Sequence, residues 1–521
     1  MTHYLSTTAV NLSFTGMLNQ GGPSPDSQHP GPLIHILDDY SLLYIFSLSR
    51  PSILDENEVD HDQVLEGGEW TRELWWYRLV QVCRRWRGIV FESASHLRLS
   101  LVCARGTPVV DMLAHSPPLP LIIDHLDLNY DITTEEEEGI LLALQCRDRV
   151  RRIRLRKSVP ILQKLVNALD GEFPILEYLY AMPQQYQRPL LDQNMSLNLP
   201  ETFRAPHLRH LLLMRFAIPI GSPLLTTMGN LVTLSHNLIP HSAYFHPYAL
   251  LQRLSLMPQL ETLGIFFNSH FPSRDIERQL LRTRITTSVT LPNLQWLGFQ
   301  GASAYLEALL SQVTIPLLET LQVYFFNQLT YSIPHLQQFI STAGNLRLEI
   351  ATLSFLEDYV KMKAYPDKEA KMFALCVHLG GRHLDWQVAS AARVFHTLGT
   401  IFSAVDHLTL ESDRHVMSSE WNNEADRTQW RELLGSFVNV NTLSVGGELV
   451  GQLSHALQPG EGESPTELLP ELHELHEPDR PEPPDEPGEL SDSAMGAPSD
   501  VFSSFIDARQ KAGHPVSLIH P

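Results

Sequence analysis

Four things are scarce in this sequence, and each scarcity excludes something. Cysteine occurs only at Cys83, Cys103, Cys146 and Cys376. These are scattered in apolar or helical surroundings and form no CxxC pair, so reduced, buried thiols are expected rather than disulfides or a zinc site. Basic residues are outnumbered, 38 Lys and Arg against 59 Asp and Glu, giving a formal net charge of −21. Binding to polyanions rests on clustered cations, so neither nucleic acid nor an anionic membrane is an expected partner. No apolar run reaches the roughly 20 residues that span a bilayer. The N-terminal stretch MTHYLSTTAVNLSFTGMLNQ has no basic region ahead of an apolar core, so no secretory signal is read and a cytoplasmic or nuclear location is expected.

Catalytic patterns are the fourth scarcity. His473 and His476 are three apart, not at the HExxH spacing, and bring no third ligand. Gly462-Glu-Ser-Pro is not a nucleophile elbow, and Gly380-Gly381 and Gly446-Gly447 are lone pairs rather than a phosphate loop. The 24 histidines are dispersed, mostly beside leucines. No catalytic residue, metal ligand or cofactor is assigned, and the chain reads as a non-enzyme.

What is present is a repeat. Hydrophobic residues make up 43% of 521, enough for a large interior, at a mean hydropathy of −0.11. Pro-x-Leu-x-x-Leu recurs at Pro174 to Leu179, Pro206 to Leu211, Pro258 to Leu263, Pro292 to Leu297, Pro316 to Leu321 and Pro470 to Leu475. Copies without the proline lie at Asn230 to Leu234, Val405 to Leu410 and Asn441 to Val445. Most spacings, about 23 to 35 residues, are near the roughly 20–29 of leucine-rich repeats. Each motif reads as a short strand with its leucines turned inward. The residues between motifs supply a helix or turn, as at Ala304 to Leu310 and His335 to Ile340, whose apolar residues recur three and four apart. One repeat cannot bury its own apolar face, so neighbours must stack.

Composition divides the rest. Residues 1–31 are polar and Gly/Pro/Ser-containing, and read as disordered. Residues 32–96 form a helical module interrupted by an acidic insertion near 51–69, and residues 97–476 form the solenoid. Residues 477–498 are a flexible Pro/acidic loop, and residues 499–521 a helix and tail that close the solenoid, with Val501, Phe502, Phe505 and Ile506 at helical spacing. At Glu135 to Glu138, Thr133 or Thr134 caps a helix whose first turn carries the acids.

The helical module has two informative stretches. In Ile36 to Phe46, Asp38 or Asp39 can cap a helix on which Leu42, Leu43, Ile45 and Phe46 form an apolar stripe. In Trp75 to Phe91, Leu79, Val82, Cys83, Trp86, Ile89 and Val90 fall at helical spacing on one side, with Arg84, Arg85 and Arg87 mostly off it. Two such short helices need something to pack on.

The first helix followed by Val82-Cys83-Arg84-Arg85-Trp86-Arg87 resembles the F-box. With Leu97 to Leu101, Thr107-Pro108, Leu119 to Ile123, Phe325 to Leu329 and Phe505 to Arg509, the chain from about Leu33 onward resembles fungal F-box-like proteins that carry a leucine-rich solenoid. The resemblance implies an α/β fold in which a small N-terminal F-box-like helical module precedes an irregular leucine-rich-repeat solenoid, a horseshoe. It also implies a Skp1-like adaptor, and through it a cullin, as partners. Ile36, Leu37, Leu42, Leu43, Ile45, Phe46, Leu79, Val82, Cys83, Trp86 and Ile89 would meet the adaptor, while the solenoid would bind a protein substrate of a ubiquitin ligase. Two departures stand out: Leu37-Asp38 replaces the usual Leu-Pro start, and the acidic insertion separates the helices. The alternative is a degenerate F-box that only caps a scaffold.

Arg152 to Arg156 alternates as a strand does, with Ile153 and Leu155 inward and Arg152, Arg154 and Arg156 outward. Two readings stay open. The arginines receive an acidic or phosphorylated substrate segment, or they pair across the sheet with acids such as Asp127 on a preceding strand from Leu126 to Tyr130.

Overall fold

The computed structural model describes residues 37–50, 74–126, 132–184, 196–268, 288–328, 330–370, 372–412, 427–460, 462–476 and 502–519. Ile36, the N-terminal lead, the acidic insertion, Asp127, the Pro/acidic loop and Val501 lie outside them. The chain divides into two compact units, Met1–Asn230 and Leu231–Pro521.

In the first unit, helices α1 (Asp39–Leu48), α2 (Tyr77–Val80) and α3 (Arg84–Glu92) precede an alternation of strand and helix. The alternation runs β1 (Leu101–Ala104), α4 (Val109–His115), β2 (Leu121–His125), α5 (Thr134–Gln145), β3 (Val150–Lys157), α6 (Val159–Asn167), β4 (Tyr178–Pro183), β5 (His210–Met214) and α7 (Pro223–Thr226). The five strands are parallel and pair in sequence order. Thr133 caps α5 through a reciprocal pair with Glu136, whose carboxylate also accepts from the Gly106 N–H. Acids in that first turn are held by the helix's free N–H groups.

The second unit begins β6 (Thr233–Ile239), α8 (Pro247–Leu254), β7 (Thr262–Phe267), β8 (Val289–Thr290), β9 (Trp296–Gly301), α9 (Ser303–Leu310), β10 (Val313–Thr314), β11 (Thr320–Phe325) and α10 (Pro334–Thr342). It continues β12 (Ile350–Phe355), β13 (Tyr359–Tyr365), β14 (Leu375–Gly380), α11 (Leu384–Thr397), α12 (Gly399–Phe402), β15 (His407–Ser412) and α13 (Arg427–Leu434). Last come β16 (Thr442–Val445), α14 (Val450–Leu457), β17 (Glu474–His476), α15 (Ser503–Lys511) and β18 (Ser517–Ile519). Its main sheet is ordered β6-β7-β9-β11-β14-β13-β12-β15-β16-β17-β18, with β8 and β10 paired separately. Only β13 runs antiparallel to its neighbours. The stretch from Ile350 to Gly380 has no Pro-x-Leu-x-x-Leu copy. Here the chain passes two strand positions to place β12, then fills them in reverse with β13 and β14.

The leucine motif explains the stack residue by residue. Its first leucine (Leu176, Leu208, Leu260, Leu294, Leu318, Leu472) is buried in the turn before a strand, and its second (Leu179, Leu211, Leu263, Leu297, Leu321, Leu475) is buried within the strand. The proline, lacking an N–H, suits the turn and not the ladder. The carbonyl ahead of one strand accepts two successive N–H groups from the next repeat. Glu261 O takes Gln295 and Trp296, Gln295 O takes Glu319 and Thr320, and Asp406 O takes Asn441 and Thr442. Each of the two units is thus a leucine-rich-repeat-like α/β stack.

Helix ends without their own caps borrow partners. The Glu307 carboxylate on α9 accepts from the His335 and Leu336 N–H groups at the start of α10, at 2.8 and 2.9 Å. Burial raises its pKa, against those two bonds. At the C-terminal end Arg509 is wholly buried. It donates to the carbonyls of Pro465, Leu469, Pro470 and Leu472 at 3.0–3.4 Å, fixing a turn in which Leu469 has φ 49°.

Two outcomes test this. Leu294→Ala should lower unfolding free energy by about 2–5 kcal/mol in urea titration; a loss under about 1 kcal/mol contradicts a shared leucine core. Arg509→Met leaves four carbonyls without their donor, so hydrogen exchange at β17 and β18 should accelerate at least tenfold relative to β7 and β9.

Candidate binding surfaces

Two surfaces collect the residues that the sequence singled out. On α1, Asp38 caps the helix by accepting from the Ser41 N–H at 2.7 Å. That bond holds its carboxyl below the usual carboxylate range. Leu42 and Phe46 turn inward and are buried. At about 100° per residue, the stripe Tyr40, Tyr44 and Leu48 lies on the opposite side, and its members are 87%, 66% and 67% exposed. The sequence reading placed Leu43 and Ile45 with Leu42 and Phe46. Leu43 is half-buried and Ile45 is exposed. The outward stripe was missed because a helix apolar on both sides has no single preferred face.

The run from Leu79 to Val90 is not one helical stripe either. Helix breaks between Val80 and Arg84, because Cys83 is extended (φ −160°, ψ 170°) and its Sγ accepts from the Trp86 N–H to start α3. Val82 therefore leaves the stripe and is 58% exposed, while Ile89 and Val90 stay buried and Leu79 and Trp86 are half-buried. Phe46 meets Trp86 edge-on with centroids 4.8 Å apart. Arg85 joins α3 to α1 through Asp39 Oδ1 and the Leu37 carbonyl. Trp76 is buried and its Nε1 donates to the Ser100 carbonyl at 3.3 Å. Leu74 packs on Val102, Ala104 and Ile122. The module thus also covers the first strands of the stack.

The second surface is the side of the first unit's sheet opposite its buried leucines. Register places Arg152 beside Tyr178 and Tyr178 beside His210, Arg154 beside Tyr180 and Tyr180 beside Leu212, and Arg156 beside Met182. The three arginines do not share one fate. Arg154 is buried against Asp124 at 3.2 Å. Asp124 is in register with Arg154, while Asp127, the acid named for the cross-strand reading, lies outside the described residues. The Arg152 guanidinium stands 5.3 Å from the centre of the Tyr178 ring, a cation–π distance. Arg156 is half-buried, and its Nε is covered with no acceptor among the described residues. The Tyr180 hydroxyl donates to Met182 Sδ at 2.9 Å.

The corresponding face of the second unit is aromatic. Gly264 and Gly298 are neighbours in register. A Cβ on Gly298 would lie 2.2 Å from Trp296 Cη2, so only glycine admits the indole there. Phe266 lies near Trp296 and Tyr324, and Tyr324 stacks on His378 at 3.9 Å. Cys376 Sγ is 3.2 Å from His378 Nε2. Burial pushes the thiol up to about 12, while burial and then Lys361 and Lys363 pull the imidazole down to about 3. Both groups are therefore neutral near pH 7, the opposite of a thiolate–imidazolium pair. Among the described residues no group of three or more His, Cys, Asp or Glu is placed to hold a metal, and no helix is long and apolar enough to cross a membrane. Of the cysteines, Cys103 and Cys376 are buried, whereas Cys83 and Cys146 are only half-buried.

No protein-family model matches the chain, and no curated protein matches it. Among solved structures it is similar to the leucine-rich repeat-containing protein LegL7 from Legionella pneumophila, at 11% identity over 69% of this chain and 86% of that one, TM-score 0.24. It is also similar to a chain of the TLR13–ssRNA13 complex, at 14% identity and TM-score 0.28 over 72% of this chain, and spans 45% of that chain's length. The fold rests on the register and leucine positions described above, not on these superpositions.

Two buried histidines set a pH dependence. His378 falls to about 3, and His125 to about 4 through burial and then Lys157. Their folded pKa values lie below the unfolded value near 6.5, so the unfolded chain binds more protons as pH falls. Stability is full above about pH 6.5 and is lost toward pH 4 and 3, by on the order of 1–2 kcal/mol per histidine at pH 5. His378→Gln should flatten the midpoint-against-pH curve between 6.5 and 4; an unchanged slope contradicts this.

Proposed function

We propose that the chain is a non-catalytic substrate-recognition subunit of a Skp1–cullin–F-box type ubiquitin ligase, acting in the cytoplasm or nucleus. Its N-terminal helices dock a Skp1-like adaptor, and through it a cullin, and the sheet face binds a protein substrate. Such a protein works by proximity, raising the effective concentration of substrate beside a ligase, and needs neither cofactor, nucleic acid nor membrane. The observation that carries the reading is the second apolar stripe of α1. Leu42 and Phe46 already fill the interior, yet Tyr40, Tyr44 and Leu48 stand in solvent on the other side, joined by exposed Ile45 and Val82 elsewhere on the module. Large apolar side chains grouped on a surface mark an interaction site. Adaptor contacts are accordingly proposed at Tyr40, Tyr44, Ile45, Leu48 and Val82, while Leu42, Phe46 and Ile89 support them from within.

A second reading has its own observation. Trp76 and Leu74 fasten the module to the first strands, as a terminal cap of a repeat stack would. In that reading the chain is an interaction scaffold with no ligase role.

The exposed stripe separates the two without disturbing the interior. Tyr44→Asp with Leu48→Asp should leave stability within about 0.5 kcal/mol, as surface changes do. The same pair should cut copurification of a coexpressed Skp1-like adaptor at least tenfold. Absence of the adaptor from wild-type preparations, or equal recovery with the variant, leaves only the scaffold reading.

A further inference from the structure

We propose that Arg156 and Tyr180 form an oxyanion subsite on the first unit's sheet face, taking the carboxylate or phosphate of an acidic or phosphorylated side chain in an extended protein segment. The inference rests on the reading of this face as the substrate surface and names the chemistry it selects.

Two donors on adjacent strands lack good acceptors at the same place. Buried donors in folded proteins are almost always paired, yet Arg156 Nε is covered and has no acceptor among the described residues. Its register neighbour on β4 is Met182, whose thioether is a weak acceptor. Tyr180 spends its hydroxyl proton on that same sulfur. Burial raises the Tyr180 phenol's pKa, and the Arg156 guanidinium is close enough to oppose that rise. In a chain with 59 acidic against 38 basic residues, an arginine with no carboxylate among the described residues is conspicuous, and an acceptor from outside would complete it.

An oxyanion set between the two strands would take the guanidinium fork of Arg156 and the Tyr180 O–H, replacing a thioether with a charged acceptor. Charge-assisted bonds of this kind are roughly twice as strong as neutral ones. Arg154 and Asp124 form a neutral wall on one side. Tyr178, His210 and Leu212 continue the face beside the subsite, with the aromatic and aliphatic character that anchors peptide side chains. The arginines therefore act separately: Arg154 supports the sheet, Arg152 stacks on Tyr178, and Arg156 reads charge.

The test uses the full-length chain and immobilised random nonapeptide pools whose central residue is fixed as phosphoserine, Glu, Gln or Ser. Wild type should retain the phosphoserine or Glu pool at least tenfold over the Gln and Ser pools. A phosphoserine preference over Glu assigns a phosphate ligand; parity or the reverse assigns a carboxylate. Arg156→Gln should bring all pools to parity, Arg156→Lys should restore part of the preference, and Tyr180→Phe should lower it about threefold, each with an unchanged unfolding midpoint. Leu212→Trp, which adds bulk without charge, should weaken all pools alike. Equal retention of all four pools by wild type, or a preference that survives both Arg156→Gln and Tyr180→Phe, overturns the subsite and leaves the face reading standing. Retention of no pool overturns both.

Discussion

Each leucine motif can be buried only by the next repeat. A strand of four to six residues followed by a short helix has one apolar side and no interior of its own. Stacking gives the first leucine of the motif a turn to fill and the second a helix to pack under. It also aligns the ladder, since one carbonyl takes two successive N–H groups of its neighbour. Burial of a leucine contributes roughly 1.5–3 kcal/mol. The stack is therefore held by many equivalent terms rather than by a few special residues.

Because the leucines pack on the helix side, the opposite face of each sheet is released from the repeat and can vary. In the first unit that face is arginine, tyrosine, methionine and histidine; in the second it is aromatic over a glycine pair. Three charged side chains withdrawn from solvent arrive with partners. Glu307 completes a helix start, Arg154 meets Asp124, and Arg509 gathers four carbonyls. Arg509 has no acid among those acceptors, so its hydrogen bonds all go to carbonyl dipoles, with the Glu471 charge and the Phe505 ring nearby, a high-stakes arrangement in a low dielectric.

The N-terminal module obeys the same constraint with too little material. Three short helices cannot close a core around themselves, so Trp76 and Leu74 lean on the first strands. That attachment uses one side of the module and leaves the outer side of α1 apolar. The edge-on contact of Phe46 with Trp86 and the Arg85 link to Asp39 hold α1 against α3, giving the outer stripe a defined shape.

Spacing along the chain was enough to locate much of this. The leucine copies marked the strands, Thr133 and Asp38 marked helix starts, and the runs at 304–310 and 335–340 marked α9 and α10, because caps and periodicity are local properties. Orientation was not legible. Whether Tyr44 or Phe46 faces the interior depends on where α3 lies. The break at Cys83 depends on a single extended residue inside an unbroken periodic run. That Asp124 meets Arg154 depends on where β2 lies and how it registers with β3. The reversed order of β12 to β14 has no sequence mark, since strand order is set by contacts among residues far apart in the chain. The sequence alone determined that leucine repeats must stack. Only tertiary packing decided which side chains the stack left outside, because burial is a property of neighbours and not of residues.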